Sequence, residues 1–248
     1  ATLLATPFGR AAFAKGIGKL SPGDIQAWAD DAFGKALAEH RFSGLSFAVT
    51  QGNDLVFIKG YGHQDVAAGT PMDPRKTLTR IASLTKTFMS ISLAILKERG
   101  KIDSLDDPVN KYLRRAQLPK NNGEDITIWD LLTHRGGFAN TLTVPDTIAK
   151  TFPIPAEVIK ASMPPYARPR NTVSVYSNFG SSILGFMAKD ISGQTLGDFL
   201  KQNVWGPLGM PNTDVGLSAD PPPNMIAQYG YVPDGPAVKL TYPTITLV

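Results

Sequence analysis

Cysteine is absent from this 248-residue chain. No disulfide framework, thiol nucleophile or thiolate metal site can be built from it, and the absence itself fits any compartment. Histidine is scarce. His40, His63 and His134 are the only three, and none lies at metal-ligand spacing from another, so a His-based zinc site is not expected. Charge of one sign is also scarce. The net charge is +4 and the basic residues are scattered without a dense run, which sets nucleic acid aside as a partner. No apolar run approaches the roughly 18 residues that span a membrane. Hydrophobic residues make up 42% and charged residues 19%, the balance of a globular chain rather than a disordered one. The length admits one large domain or two.

The N-terminal stretch, Ala1 to Ala14, reads equally as a secretory-signal remnant with a small-residue cleavage site or as an irregular arm. Ser21-Pro22-Gly23-Asp24 has a cap, a proline at the first helical position and an acid in the first turn, and predicts a helix to about residue 40. Segments 45–50 and 55–61 are rich in β-branched and aromatic residues around the turn Gln51-Gly52-Asn53-Asp54, which predicts a β-hairpin. Residues 62–79 read as loop. Residues 84–99 read as a helix with one apolar stripe of Leu84, Phe88, Ile91 and Ile95 and another of Met89, Leu93 and Leu96, hence a buried helix. Further helices are expected from Thr127, from Asn178 to Ile191 and from Thr195 to Val204, with a Pro-dense loop at 145–169 and a Pro-rich tail.

Ser83-Leu84-Thr85-Lys86 heads the apolar helix. Residues three apart share a helix face, their Cβ atoms roughly 5–6 Å apart, so Lys86 can take a proton from the Ser83 hydroxyl. The helix end offers free N–H groups to an acyl oxygen, and its positive pole disfavours a protonated Lys86. The spacing alone is weak. With 14 Ser and 15 Lys, about one Ser-x-x-Lys arises by chance, and a helix cap beside a solvated lysine has the same pattern. Tyr176-Ser177-Asn178 is a second candidate. A phenol can relay a proton and an amide can hold a substrate carbonyl, although a core Tyr beside a capping Asn looks the same.

The two segments stand in a wider pattern. Ile81-Ala82-Ser83-Leu84-Thr85-Lys86 comes first, then Leu131-Leu132-Thr133-His134 with Gly136-Gly137. Tyr176-Ser177-Asn178 with Leu184-Gly185 follows, then Pro207-Leu208-Gly209-Met210 with Thr213. In this order they resemble the serine β-lactamase and penicillin-binding-protein superfamily, in its class C β-lactamase-related branch of D,D-peptidases, D-aminopeptidases and family VIII esterases. The resemblance runs from about residue 42 to residue 231. It implies an α+β fold of the β-lactamase/transpeptidase type, a mostly helical domain beside an antiparallel sheet. It implies acyl transfer without metal or cofactor. Ser83 would be the acylated nucleophile, with its own N–H as half of the oxyanion hole. Lys86 would activate it, Tyr176 would pass the proton to the leaving group, and Asn178 would contact substrate. His134 would close a helix.

One element of the pattern is missing. The third motif, Lys-Thr-Gly or His-x-Gly on a strand beside the nucleophile, is absent. No His follows Tyr176, and Lys189, Lys201 and Lys239 are not followed by Thr-Gly or Ser-Gly. In the superfamily that the chain resembles, that strand supplies the other oxyanion N–H and belongs to C-terminal strands that complete the sheet. The expected organisation is an arm (1–20), the first part of a sheet domain (21–80), a mainly helical domain (81–215) and a Pro-rich segment (216–248) leading to a C-terminal part outside the chain. Alone, the chain is expected to be inactive. Expected partners are a small-molecule or peptide substrate and either a separate C-terminal fragment or further copies of the chain. A periplasmic or extracellular location is expected, with the cytoplasm as the alternative. The rival function is a non-catalytic penicillin-binding-type sensor or binding protein that keeps the fold.

Overall fold

The computed structural model describes residues 20–114, 116–140, 160, 163–215, 222–227, 229–230 and 238–239. The N-terminal arm, most of the Pro-dense loop and most of the tail lie outside the described residues. The chain divides into two compact units. One takes the described residues up to Thr79 together with those from 222 to 239. The other takes those from Arg80 to 215.

The first unit begins with α1, Pro22–Ala38. Ser21 caps it, its hydroxyl accepting from the Asp24 N–H at 3.3 Å. Strands β1, Gly44–Gln51, and β2, Asp54–Asp65, form the expected antiparallel hairpin. Side chains alternate along β1. Leu45, Phe47 and Val49 are half-buried, while Ser46, Ala48 and Thr50 are exposed. The half-buried face carries an aromatic cluster, in which Phe33 of α1 meets Phe47 and Tyr61 at 5.1 Å each, edge to face. Ile25, Ala29, Tyr61 and Met72 are buried in this unit.

The expectation of loop over residues 62–79 is corrected. Strand β2 continues to Asp65, and a short strand β3, Thr70–Pro71, pairs antiparallel with it, making a three-stranded sheet in the order β1-β2-β3. The extension has no β-branched residue to announce it. Tertiary fit makes it possible instead, because a Cβ on Gly62 would collide with the Ser43 carbonyl and one on Gly60 with the Met72 carbonyl. Among the described residues β1 has a partner on one edge only. A second ladder joins β4, Tyr229–Gly230, to β5, Val238–Lys239.

The second unit is helical. Its elements are α2 (Thr85–Glu98), α3 (Ile128–Leu132), α4 (Asn178–Ser192) and α5 (Leu196–Leu200), the last continued by a π-helical turn, Lys201–Trp205. Met89, Leu93 and Leu96 of α2 are buried with Ile183, Leu184 and Met187 of α4, Leu131 of α3 and Trp205 in one core cluster. The expected stripe of Leu84, Phe88, Ile91 and Ile95 is corrected in part. Phe88, Ile91 and Ile95 pack against this core, but Leu84 is 66% exposed. Leu84 ends a 3₁₀ turn, Ala82–Leu84, where the 3.6-residue period that defined the stripe does not apply.

Helix α3 is fixed by a capping box. Thr127 Oγ1 accepts from the Asp130 N–H at 3.1 Å, and Asp130 Oδ2 accepts from the Thr127 N–H at 3.0 Å. Helix α4 is capped by Ser177 and ends at Gly193, whose φ of +74° is open to glycine at no steric cost. The candidate site lies where the head of α2 meets the N-terminus of α4.

Candidate active site

Ala82 turns the chain into the site. Its φ is +46°, a left-handed backbone that costs an alanine about 1–2 kcal/mol. The 3₁₀ turn it begins runs straight into α2, which leaves Ser83 exposed and places Lys86 in the first helical turn, half-buried. Lys86 Nζ donates to Ser83 Oγ at 3.2 Å and to Asn178 Oδ1 at 2.8 Å. The asparagine carbonyl thus steers the amine toward the hydroxyl.

Tyr176 and Asn178 flank Ser177, which is extended at φ −135° and ψ 112°. Neighbouring side chains on extended backbone point to opposite sides. Ser177 therefore turns inward, 8% exposed, where its hydroxyl accepts from the Gly180 N–H at 3.0 Å. Tyr176 and Asn178 turn together toward Ser83. Tyr176 Oη lies 2.6 Å from Ser83 Oγ, and Lys86 Nζ lies 4.9 Å from the centroid of its ring. Burial pushes the Tyr176 phenol up, but its bonds with Lys86 and Ser83 and the charge of Lys86 together outweigh burial. The phenol is held below its ordinary value. Lys86 and Tyr176 thus meet at the Ser83 hydroxyl, and Asn178 holds the amine of Lys86, all four being residues singled out in the sequence. A small cleft lined by Ala82, Lys86, Met89, Asn178, Ser181 and Ser182 opens beside the amine.

The segment before Tyr176 is tied to α3 and its C-terminal turn. Arg170 Nε donates to Asp130 Oδ2 at 2.5 Å, and Asp130 is 1% exposed. The N–H of Asn171 bonds the Arg135 carbonyl at 2.8 Å, Ser174 Oγ the Thr133 carbonyl at 2.8 Å, and the Val175 N–H the His134 carbonyl at 2.8 Å. The sequence reading did not find this clamp. Arg170 and Asp130 are 40 residues apart, and neither carries a local signal beyond the capping position of Asp130. His134 closes α3 with φ +57°, as the sequence suggests, and its ring also faces Tyr176 with centroids 4.6 Å apart.

Among the described residues no group of three or more His, Asp or Glu is placed to hold a metal ion. Among them, too, no helix is long and apolar enough to cross a membrane.

Comparison with known proteins follows the same lines. The Beta-lactamase family matches residues 29–244. Penicillin-binding protein 4* of Bacillus subtilis is 28% identical over 201 residues, which cover 78% of this chain and 42% of that protein. Esterase EstB of Burkholderia gladioli is 29% identical over 217 residues, covering 82% of this chain and 54% of the esterase. The crystal structure of a class C β-lactamase from Rhodobacter sphaeroides superposes with a TM-score of 0.65 at 25% identity, covering 86% of this chain and 57% of that one. The chain spans about half the length of these curated relatives. With the family's fold present and its segments in order, this chain belongs to the Beta-lactamase family, within the superfamily that joins penicillin-binding proteins, class C β-lactamases and esterases.

Proposed function

We propose that this chain carries the nucleophile of a serine hydrolase that cleaves esters, β-lactams or D-amino-acid peptides through an acyl-enzyme on Ser83. The observation that carries the reading is the contact of Ser83 Oγ with both Tyr176 Oη, at 2.6 Å, and Lys86 Nζ, at 3.2 Å. A serine nucleophile requires an adjacent group to take its proton, and here Tyr176 is placed to do so with the Lys86 amine beside it. A helix cap beside a solvated lysine would need neither Tyr176 nor the Asn178 contact.

The chemistry follows from the geometry. The Tyr176 phenol, held low by its neighbours, ionises more readily than a free tyrosine, and the phenolate takes the Ser83 proton as Oγ attacks the acyl carbon. The carbonyl π electrons move onto oxygen, which the Ser83 N–H at the head of α2 can meet. Collapse of this intermediate breaks the bond to the leaving group, which takes the proton back from Tyr176. Lys86 stays between Ser83 and Asn178 and stabilises the negative charge that passes between the two hydroxyl oxygens. Water then repeats the sequence on the acyl-enzyme and releases the acid, leaving Ser83 protonated again.

The test is turnover by the full-length protein of an activated ester, a chromogenic cephalosporin and a D-alanyl-D-alanine peptide, with Ser83→Ala as control. Hydrolysis of at least one, lost in Ser83→Ala, supports the reading. A labelled Ser83 that never deacylates would instead favour a sensor or binding protein. No acylation by any of the three would reject the hydrolase.

A further inference from the structure

His134 touches Tyr176 and both of its neighbours along the chain. Its carbonyl accepts from the Val175 N–H at 2.8 Å, its Nδ1 accepts from the Ser177 N–H at 3.2 Å, and its ring lies 4.6 Å from that of Tyr176, the two planes inclined by 40°. Three successive residues, 175 to 177, are therefore held by one side chain and its own carbonyl. The Ser177 N–H belongs to the cap residue of α4, in a buried position where no helical carbonyl serves it. The imidazole supplies that acceptor. The left-handed backbone of His134 aims both its carbonyl and its ring at the segment, and closing α3 requires neither contact.

We propose that His134 is the positioning residue for Tyr176, holding the phenol on Ser83 Oγ only while its imidazole is neutral. The proposal rests on the hydrolase reading for its consequence in catalysis, though not for the contact itself. An imidazole that accepts at Nδ1 carries its proton on Nε2. A second proton would have to enter at Nδ1, and the ring could then no longer accept from Ser177. Among the described residues the titratable groups that face the ring are Tyr176 and, from α2, Lys86. Burial and then the charge of Lys86 hold His134 below its ordinary value, so the clamp is closed at neutral pH. As pH falls through that lowered value, the Ser177 N–H loses its acceptor and Tyr176 its support.

The sign is fixed. The active arrangement is the deprotonated one, so acylation falls on the acid side, below the ordinary range of histidine. A histidine that only closes a helix would leave the acylation rate indifferent to loss of its Nδ1 acceptor.

The experiment uses the full-length protein with tyrosine labelled at 13Cζ and backbone 15N. The Tyr176 resonance is assigned with Tyr176→Phe, and Ser83 acylation is timed with a fluorophosphonate across pH. In the unsubstituted protein the Tyr176 and Ser177 resonances should move together in one acid step below pH 6.5, the ordinary value of histidine. His134→Asn keeps a short acceptor and tolerates the left-handed backbone. It should keep most of the rate and lose the acid step. His134→Phe keeps a ring and loses the acceptor. It should move the Tyr176 resonance and slow acylation by up to about 10²-fold, the scale of a misplacement near 1 Å. A Tyr176 resonance unmoved by acid in the unsubstituted protein and by both substitutions would overturn the clamp, whatever the rates. Failure of the hydrolase reading looks different: no label on Ser83 at any pH, with the Tyr176 resonance still following His134.

Discussion

Replacing Tyr176 by Phe removes one oxygen and leaves the ring in place against His134. The oxygen removed is the one 2.6 Å from Ser83 Oγ, so the change isolates the proton contact from the packing. A positioned acid–base group contributes about 10²–10⁴-fold, or roughly 3–5 kcal/mol at 1.36 kcal/mol per tenfold. Lys86→Ala removes the amine that bonds Ser83 Oγ at 3.2 Å and Asn178 Oδ1 at 2.8 Å, with its charge beside the Tyr176 ring. Without that amine the phenol loses its hydrogen bond with Lys86, the largest force holding it low, together with the smaller effect of the charge, so Lys86→Ala should cost as much as Tyr176→Phe or more. If the two act on one proton, the double variant should cost little beyond the worse single one. The summed single losses, roughly 6–10 kcal/mol, would then overshoot the observed double loss by several kcal/mol. The assay is the rate of Ser83 acylation by an activated ester, followed in single turnover so that deacylation does not enter. Full additivity, within about 0.5 kcal/mol, would refute a shared relay.

Three other changes test separate parts of the account. Ala82→Gly should relieve about 1–2 kcal/mol of left-handed strain against an unfolded-state cost of up to about 1 kcal/mol, a net gain of roughly 0.5 kcal/mol in urea denaturation. Ala82→Val at the same position should lose stability, and equal stability of the three forms would contradict the strain. Arg170→Ala strands the carboxylate of Asp130, 1% exposed, and should cost about 3–5 kcal/mol. Glu124→Gln removes the solvent-exposed partner of Arg170 and should cost under about 1 kcal/mol, so a thermal melt that ranked the two equally would place the clamp elsewhere. In turnover assays activated esters should outpace cephalosporins, and a cephalosporin kcat/KM approaching about 10⁸ M⁻¹s⁻¹ would instead mark a dedicated β-lactamase.

The meeting of Ser83, Lys86, Tyr176 and Asn178 is legible in the sequence because its signals are local. Ser83 and Lys86 are one helical turn apart, and Tyr176 and Asn178 flank a single extended residue. The capping residues Ser21, Thr127 and Thr195 announced their helices for the same reason. What the sequence hid depends on contacts across the fold. Strand β3 can pair because Gly60 lets the Met72 carbonyl approach, and Gly62 does the same for Ser43 on the other side of β2, approaches that composition does not announce. Leu84 looked like a core residue because the helical period was carried one residue too far, into a 3₁₀ turn. His134 was readable as a helix end, but its grip on Tyr176 spans 42 residues of chain and is visible only once α3 and α4 are placed together.

The most direct measurement is a peptide map of the full-length protein after reaction with a fluorophosphonate. A single adduct on the peptide that holds Ser83, absent from Ser83→Ala and slowed by Tyr176→Phe, is the result expected. An adduct on another residue, or an undiminished adduct in Ser83→Ala, would contradict the assignment of Ser83 as nucleophile.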